Sequence, residues 1–230
     1  MRLTQVFDPI ADAYDRWYDT ADGQAIFHAE SACLRSVCPR CEGRWLEVGV
    51  GTGRFASMLG IAEGVDPSPR MLAIAAGRGI QTCVGCAEEL PFGDGVFDGV
   101  LLSLTLCFVA GPGQAIGECR RVLCPDGTLL VGAIPADGPW GRHYEGKKAA
   151  GHSIYAHARF LTVHEIGALI EEAGFERLAA ASTLFWRPDN PPETEPRVEA
   201  GIASEAGFLS LLFRKVAAAG RRRTAREEQP

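Results

Sequence analysis

A glycine-rich segment directly after the first predicted strand constrains this sequence more than any other feature. Residues 45–48 predict a short strand, Gly49-Val50-Gly51-Thr52-Gly53 follows, and residues 54–59 predict a helix. Glycine lets a backbone turn sharply and approach a ligand closely. The spacing is Gly-x-Gly-x-Gly, whereas dinucleotide binders have Gly-x-Gly-x-x-Gly. The segment therefore predicts a ligand-binding turn between strand and helix, and its spacing disfavours a nicotinamide oxidoreductase.

An aspartate at the end of the second predicted strand indicates which ligand the turn binds. Asp66 follows Glu47 by 19 residues, and a carboxylate at this place can accept hydrogen bonds from both hydroxyls of a ribose. Taken alone, Asp66-Pro67-Ser68-Pro69 is also explained as a turn followed by a helix start. Combined with the glycine turn at this spacing, Asp66 favours a nucleoside ligand.

Predicted strands and helices alternate along the chain, which indicates an α/β fold with a mostly parallel sheet. Seven strands are predicted, at residues 45–48, 61–65, 80–84, 97–102, 128–134, 175–182 and 208–216. Two N-terminal helices are predicted within residues 8–37, with a break near Asp22-Gly23. Thr162 and Glu165 match a capping box for a later helix. The last two strands are joined by a Pro- and Glu-rich loop over 187–207, so we expect them to pair as an antiparallel hairpin.

Length and charge favour one domain with a small partner. The 230 residues suffice for a single α/β domain over 1–220, and the charged tail over 221–230 is expected to be disordered. A net charge of −6 provides no general attraction for nucleic acid or an anionic membrane. The longest apolar stretch, about residues 99–111, is shorter than the roughly 20 residues that span a bilayer. The N-terminus lacks a signal peptide pattern, so we expect a cytoplasmic protein whose eight cysteines are mostly free thiols.

Four motifs, in order and over about residues 44–134, carry a resemblance to a known family. They are Leu46-Glu47-Val48-Gly49-Val50-Gly51-Thr52-Gly53, then Gly64-Val65-Asp66-Pro67-Ser68, then Ala87-Glu88-Glu89-Leu90-Pro91-Phe92, and finally Arg121-Val122-Leu123-Cys124-Pro125-Asp126-Gly127. Together they closely resemble the class I methyltransferases that use S-adenosylmethionine (AdoMet), in the methyltransferase type 11 or ubiquinone-biosynthesis-like branch. The resemblance implies a Rossmann-like αβα sandwich with a seven-stranded, mostly parallel sheet.

The resemblance also implies which residues bind AdoMet. Glu47 and the Gly49 backbone lie by its methionine part, Gly51 and Gly53 keep the turn open, and Asp66, with Pro67 beside it, holds the ribose. Backbone groups of Cys86, Ala87 and Glu88 meet the adenine, and Tyr14 and Trp17 form part of an N-terminal helical lid over 1–38. The alternative for this pair is a helix stripe that packs on the sheet. Many relatives have an aspartate at the position of Cys86, and a thiol is a poor acceptor. The adenine contact must then depend on backbone groups or on Glu88.

The cysteines leave an alternative open. Two Cys-x-x-Cys pairs, Cys38/Cys41 and Cys83/Cys86, invite a zinc interpretation, but the predicted topology puts them at opposite edges of the sheet. No metal site is therefore predicted. A thiol or metalloid methyltransferase that uses Cys86 and Cys107 remains an alternative, as does a binding module that holds AdoMet without catalysis.

An insertion after the fifth predicted strand, residues 135–161, is the expected acceptor-facing segment. It contains three of the five histidines, and His143, Tyr144 and Tyr155 are the predicted catalytic residues because imidazole and phenol groups can deprotonate or orient an acceptor. The alternative is a polar surface loop with incidental histidines. The sequence thus predicts a monomeric or homodimeric enzyme that moves a methyl group from AdoMet to a small-molecule acceptor.

Overall fold

A computed structural model describes residues 4–38, 40–193 and 195–216 of the chain. The helices are α1 Thr4–Phe7, α2 Ala11–Trp17, α3 Ala21–Val37, α4 Arg54–Leu59, α5 Pro69–Gly77, α6 Pro112–Val122, α7 Pro139–Ala149 and α8 Val163–Glu172. The strands are β1 Trp45–Val48, β2 Glu63–Asp66, β3 Gln81–Val84, β4 Phe97–Ser103, β5 Leu123–Ala133, β6 Phe175–Thr183, β7 Glu199–Ala200 and β8 Phe208–Lys215. Two single 3₁₀ turns, Asp8–Ile10 and Tyr155–His157, complete the elements of this part of the chain.

One sheet with the strand order β3-β2-β1-β4-β5-β8-β6-β7 forms the centre of the fold. Strands β1 to β5 are parallel, and β8 pairs antiparallel with both β5 and β6. The Rossmann-like α/β prediction is confirmed, including the antiparallel pairing of the last two predicted strands. The predicted count of seven strands is wrong, because the two-residue strand β7 lies in the segment expected to be a loop and pairs only with Ala181 and Ser182. A ladder this short leaves no periodic signal in the sequence.

The order of strands reverses between β1 and β4, and helices cover both faces of the sheet. Alternate residues of β1 serve opposite faces: Leu46 packs in the core beneath α6 and α8, and Trp45 packs in the core beneath α3, α4 and α5. In open α/β sheets ligands bind outside the carboxyl ends of the strands, at such a reversal. A ligand-binding site is therefore expected at the carboxyl edge of β1 and β4.

The break between the N-terminal helices lies earlier than the sequence predicted. Helix α2 ends at Trp17 and α3 begins at Ala21, where the Thr20 side chain accepts a hydrogen bond from Gly23 N at 3.1 Å. Gly23 lies in the first turn of α3, and a Cβ on it would stand 2.1 Å from the Trp17 carbonyl oxygen. Gly23 thus permits a close approach of two helices, whereas the sequence pattern suggested a helix break. The capping box of Thr162 and Glu165 is confirmed at the start of α8.

The insertion is partly helical and partly buried. Residues 135–161 contain helix α7 and a 3₁₀ turn, with Trp140 and Tyr144 buried against the α3 side of the sheet. None of the helices in the described ranges is long and apolar enough to cross a membrane. The predicted disordered tail, 221–230, lies outside the described residues, as does Pro39.

An ion-pair cluster fixes α2 to the start of α4 and the end of α5. Asp15 accepts hydrogen bonds from Arg54 Nε at 2.9 Å and from Arg78 Nη2 at 2.8 Å, and Arg78 Nη1 also donates to the Thr52 carbonyl. Burial raises the pKa of Asp15, but the hydrogen bonds from the two guanidinium groups outweigh it and hold that pKa below its usual value. The cluster joins the N-terminal segment to the glycine turn. A second contact, between Asp8 and Ser68, joins the same segment to the start of α5.

We expect Asp15→Asn to lower the free energy of unfolding by about 1–3 kcal/mol at pH 7, because it removes charge-assisted hydrogen bonds from two half-buried arginines. The pKa of Asp15 is depressed in the folded protein, so this contribution is present at neutral pH and is lost as the pH falls through the folded pKa. Urea unfolding of both proteins from pH 7 to pH 3 measures this, and the difference should shrink in acid.

Asp94→Asn is the matched control, since Asp94 also pairs with an arginine but is largely exposed. An exposed pair contributes only about 0–1 kcal/mol. Equal effects of the two substitutions would contradict a special role of Asp15 in docking the N-terminal helices.

Candidate active site

The glycine turn lies at the carboxyl end of β1 and is fixed by β2. Gly49 N and Val50 N donate to the Val65 carbonyl at 2.8 and 3.0 Å, and Gly53 N donates to the Val50 carbonyl. Gly49, Gly51 and Gly53 have φ angles of +74°, +51° and +80°, the left-handed region that other residues adopt at a cost. The left-handed backbone of the turn therefore explains why these three positions are glycine.

The three glycines differ in what surrounds them. A Cβ on Gly49 would meet the Thr105 side chain at 2.5 Å, and a Cβ on Gly53 would meet Ala75 at 3.0 Å. At Gly51 a Cβ would have no neighbour within 4 Å. Gly49 and Gly53 thus allow the turn to pack on the protein, whereas Gly51 presents its bare backbone on the open side of the turn.

Asp66 closes the turn from the end of β2. Its Oδ2 accepts from Gly51 N at 3.0 Å and its Oδ1 from Ser68 N at 2.8 Å. Burial raises the pKa of this carboxyl, and the two backbone hydrogen bonds partly counteract it. Each oxygen keeps a further lone pair, so the carboxylate is held in place and can still accept from two vicinal hydroxyls.

Glu47 is a buried acid with an incomplete set of partners. Its side chain is 1% exposed, the backbone of Ala56 in α4 favours its charged form, and its Oε2 has no hydrogen-bond partner in the structure. Burial, together with the charge of Asp66, raises its pKa well above the usual value. A buried carboxyl of this kind is stabilised by a cation, so Glu47 suits a ligand with a positive charge.

The segment after β3 lies at the far side of the turn. Cys86 is exposed, Ala87 is buried, and the Glu88 carboxylate accepts from Ala110 N at 2.8 Å and Gly111 N at 3.2 Å. The Glu88 side chain is therefore engaged on the loop before α6, which leaves the backbone of 86–88 as the expected adenine contact. Pro67 follows Asp66 at the start of the turn into α5.

The two aromatic residues predicted for the lid differ in their surroundings. Trp17 is 40% exposed, whereas the phenol of Tyr14 is hydrogen-bonded to that of Tyr18 at 3.2 Å. Burial raises the pKa of Tyr14, with further contributions from Tyr155, Glu30 and Asp66. Tyr14 thus stands within electrostatic range of both the carboxylate of β2 and the insertion. Tyr18, which the site prediction omitted, is part of the same cluster.

The insertion brings two of its three predicted catalytic residues together. The ring centroids of Tyr144 and Tyr155 are 4.4 Å apart, and each phenol affects the pKa of the other. Burial raises the pKa of both, that of Tyr155 to about 12. His143 lies beside the Tyr144 ring but approaches Asp189, with 3.9 Å between Nδ1 and Oδ1. Burial and Lys147 lower the pKa of His143.

A second buried acid, Glu30 of α3, is absent from the sequence prediction. Its side chain is 2% exposed and its Oε2 lacks a hydrogen-bond partner. Burial raises its pKa to about 8, and the charge of Glu30 in turn raises the pKa values of Tyr14, Tyr18, Tyr144 and Tyr155. The sequence does contain a signal for Glu30. This charged residue lies four residues after Ile26 and four before Leu34, on the apolar face of the helix.

The cysteines do not assemble a metal site in the described part of the chain, where no three His, Cys, Asp or Glu side chains form a group that could hold an ion. Cys38, before β1, donates from Sγ to the Arg40 carbonyl at 3.5 Å, and Cys83 lies on β3, in register with Val65 of β2. Burial raises the pKa of Cys107 to about 12, so its thiol stays protonated at neutral pH.

Comparisons with known proteins agree with this geometry. A family model described as a methyltransferase domain matches residues 46–131. A solved structure from Thermotoga maritima, described as a SAM-dependent methyltransferase and possible histamine N-methyltransferase, superposes with a TM-score of 0.85 at 36% identity and covers 93% of this chain and 100% of its own. The malonyl-[acyl-carrier protein] O-methyltransferase of Geobacter sulfurreducens is 31% identical over 84% of each chain. The chain belongs to the class I AdoMet-dependent methyltransferase family.

An uncharacterised protein of Methanocaldococcus jannaschii is also similar, with 37% identity over 92% of this chain and 99% of its own length. The similarity thus extends far beyond the matched segment 46–131 to nearly the whole methyltransferase. The sequence-based assignment to this family, and to AdoMet as the cofactor, is confirmed.

The residues of the turn fit AdoMet in this methyltransferase. Glu47 has an unpartnered buried oxygen for the ammonium of the methionine part, and the bare backbone at Gly51 leaves room for the ligand. The fixed carboxylate of Asp66 suits the ribose hydroxyls. Two buried acids with raised pKa values also suit a ligand that carries a sulfonium and an ammonium.

We expect Gly51→Ala to weaken AdoMet binding by at least about tenfold, or roughly 1.4 kcal/mol, because the new methyl group occupies the open side of the turn. Gly60→Ala is the matched control: Gly60 also has a positive φ, +74°, and open space around its Cβ, but it ends α4 away from the turn. Each substitution should cost about 1–2 kcal/mol in backbone strain.

Isothermal titration with AdoMet and a urea unfolding curve measure the two quantities for each variant. The placement of the ligand would be wrong if both variants lost stability equally and kept the parent affinity for AdoMet.

Proposed function

We propose that this methyltransferase transfers the methyl group of AdoMet to a small-molecule acceptor that lies between α2, α3 and the insertion 135–161. The supporting observation is a cluster of four phenols, the buried Tyr18 and Tyr144 and the half-buried Tyr14 and Tyr155, of which Tyr14 is within electrostatic range of Asp66. The insertion docks on the loop after β4 through a hydrogen bond of 2.6 Å from Arg159 N to the Cys107 carbonyl. This contact supports a position of the cluster over the methyl side of the cofactor site.

AdoMet supplies a methyl group on a positively charged sulfur, which an acceptor displaces in line. The protein's task is to bind and orient the two partners and to exclude water. Glu47 and Asp66 hold the cofactor, and the N-terminal helices, fixed by Asp15 and Asp8, cover it. Because burial keeps the phenols protonated, Tyr144 and Tyr155 serve as hydrogen-bond donors that orient the acceptor.

The loop after β4 carries a strained residue beside this cluster. Leu104 has a φ of +56°, and its N–H donates to the Gly132 carbonyl at 2.8 Å. The next residue, Thr105, donates to the Val48 carbonyl at 3.0 Å and thereby packs on the glycine turn. A non-glycine residue in the left-handed region costs about 1–3 kcal/mol, and such residues cluster at active sites and ligand-binding segments. The loop thus connects the cofactor turn with the proposed acceptor position.

A small acceptor also agrees with the closed arrangement of the N-terminal segment. The ring of Phe7 contacts that of Phe108 with centroids 5.1 Å apart, so the segment reaches the loop after β4. The related enzyme of Geobacter sulfurreducens is named for a malonyl group on a carrier protein, and the Thermotoga maritima structure for histamine. We further propose, as the sequence indicated, a cytoplasmic monomer or homodimer without a nucleic acid partner.

The experiment is turnover of AdoMet to S-adenosylhomocysteine with a panel of small hydroxyl, carboxyl, amine and thiol acceptors. Once an acceptor is found, we expect Tyr144→Phe and Tyr155→Phe to lower kcat/KM by roughly three- to tenfold each, the loss of one hydrogen bond of about 0.5–1.5 kcal/mol. Affinity for AdoMet should stay within about twofold, since neither phenol touches the glycine turn.

His143→Ala tests the third predicted residue. Its ring contacts Tyr144 at one edge of the phenol cluster, but its Nδ1 approaches the exposed Asp189, so we expect a smaller loss than for the two phenols. A loss of about a hundredfold or more would instead identify His143 as the general base. No turnover with any acceptor, despite tight AdoMet binding, would favour a binding module.

A further inference from the structure

A strip of buried polar atoms lies between α3 and the carboxyl end of the sheet. The described residues contain five buried side-chain oxygens without a hydrogen-bond partner, which belong to Glu30, Ser31, Glu47, Ser103 and Ser210. Buried polar groups in proteins are nearly always paired, because an unpaired one loses its hydrogen bonds to water without replacement. Where several such atoms share one face, they indicate a place that binds a polar ligand.

The register of the sheet places three of these residues on one face. Ser103 and Ser210 both stand beside Gly132 of β5, and Leu101, two residues before Ser103, stands beside Glu47. Residues two apart on a strand share a face, so Glu47, Ser103 and Ser210 all face α3. A Cβ on Gly132 would meet Ser103 Oγ at 3.1 Å and the Leu34 side chain at 3.3 Å, which confirms that α3 covers this face.

Glu30 lies one helical turn before Leu34. Because α3 runs towards the amino edge of the sheet, where β1 begins, Glu30 is nearer than Leu34 to the carboxyl edge and to the cofactor turn. There its charge raises the pKa values of the four phenols, and no charged group among the described residues offsets the burial of its carboxyl. The Tyr18 ring packs on Phe27, one turn before Glu30 on the same helix, with centroids 5.7 Å apart. Glu30 is thus a buried acid within electrostatic range of these tyrosines.

We propose that Glu30 binds the methyl acceptor, and that this acceptor is a small amine whose nitrogen lies as an ammonium between the Glu30 carboxylate and the surrounding tyrosines. This inference deepens the proposed function and rests on it. Carboxylates and aromatic faces are the groups that proteins use to bind ammonium ions. An alcohol or a carboxylic acid would bring no charge to compensate Glu30, and a carboxylate acceptor would be repelled by it.

The same residue accounts for the proton that the reaction releases. The bound ammonium gives one proton to the Glu30 carboxylate, and the nitrogen lone pair then forms the new bond to the methyl carbon. The carbon–sulfur bond breaks with its electron pair staying on sulfur, so the sulfonium becomes a neutral thioether and the nitrogen becomes a methylated ammonium. The proton on Glu30 passes to water when the product leaves.

The pH dependence of amine binding distinguishes this role from a structural one. The pKa of Glu30 is about 8 in the free protein, so binding of an ammonium near pH 7 must expel a proton from the carboxyl. Burial holds the pKa of the neighbouring groups far above this range: Tyr155 and Cys33 at about 12, and Tyr14, Tyr18 and Tyr144 higher than their ordinary value. Affinity for an ammonium should therefore rise from pH 6 to pH 8 through Glu30.

The experiment is calorimetric titration, in the presence of S-adenosylhomocysteine, with 2-phenylethylamine, tyramine, tryptamine and 2-(imidazol-4-yl)ethylamine, each paired with the alcohol of the same skeleton. We expect at least one amine to bind at least about tenfold more tightly than its alcohol and to release protons, measured in two buffers of different ionisation enthalpy. In Glu30→Gln the preference for the amine and the proton release should both disappear.

Two further variants make the test specific. Glu172→Gln, an exposed change at the end of α8, should behave like the parent, and Glu47→Gln should lose affinity for S-adenosylhomocysteine instead. Glu30→Gln should keep that affinity within about twofold and should also flatten the fall in unfolding free energy between pH 5 and about pH 8, because the raised pKa of Glu30 destabilises the fold as it ionises.

If no amine is preferred over its alcohol, or if Glu30→Gln keeps the preference, the amine proposal is wrong while the methyltransferase assignment stands. If S-adenosylhomocysteine fails to bind the parent protein, the proposed function fails as well.

Discussion

The arrangement of the site depends on the pair of hydrogen bonds that the Asp66 carboxylate accepts from Gly51 N and Ser68 N. These bonds tie the turn after β1 to the turn after β2, so two neighbouring loops behave as one. The left-handed φ angles of the glycines allow the bonds, and the parallel pairing of β1 with β2 brings the partners into range. The N-terminal helices then dock on this unit through Arg54 and Arg78, which also contact Asp15.

Two buried glutamates lie in different parts of the site, one beside the cofactor turn and one beside the proposed acceptor position. Glu47 lies on β1 beside the glycine turn, and Glu30 lies on α3 among phenols. Both have raised pKa values because burial disfavours their charged form, and neither has a basic side chain as partner among the described residues. A positively charged ligand would stabilise the charged form of each carboxyl. The two acids are held on different elements, a strand and the helix packed on it.

The sequence predicted the parts of this structure that follow from local patterns. The glycine spacing, the aspartate after β2 and the alternation of strands and helices identify the fold and the cofactor, since these signals lie within 20 or so residues of each other. The acceptor side depends on contacts between α2, α3 and α7, which are distant in the chain. Trp17 and Tyr18 look alike in the sequence, and only the packing shows that Tyr18 joins Tyr14 while Trp17 is partly exposed. Glu30 is a charged residue on an apolar face, a signal that has meaning only once α3 is placed on the sheet.

The position of β8 in the sheet has a consequence for how the chain assembles. Strand β8 follows β6 and β7 in sequence, yet it lies between β5 and β6. During synthesis β1 to β5 can pair as soon as each emerges, but β6 has no partner in the main sheet until residues 208–215 have left the ribosome. Until then the Val131 edge of β5 offers unpaired backbone groups, a template for wrong strand pairing. Strand β8, the last to be made, joins β5 to β6. The part of the sheet near Ser210 can therefore form only after β8 has been synthesised.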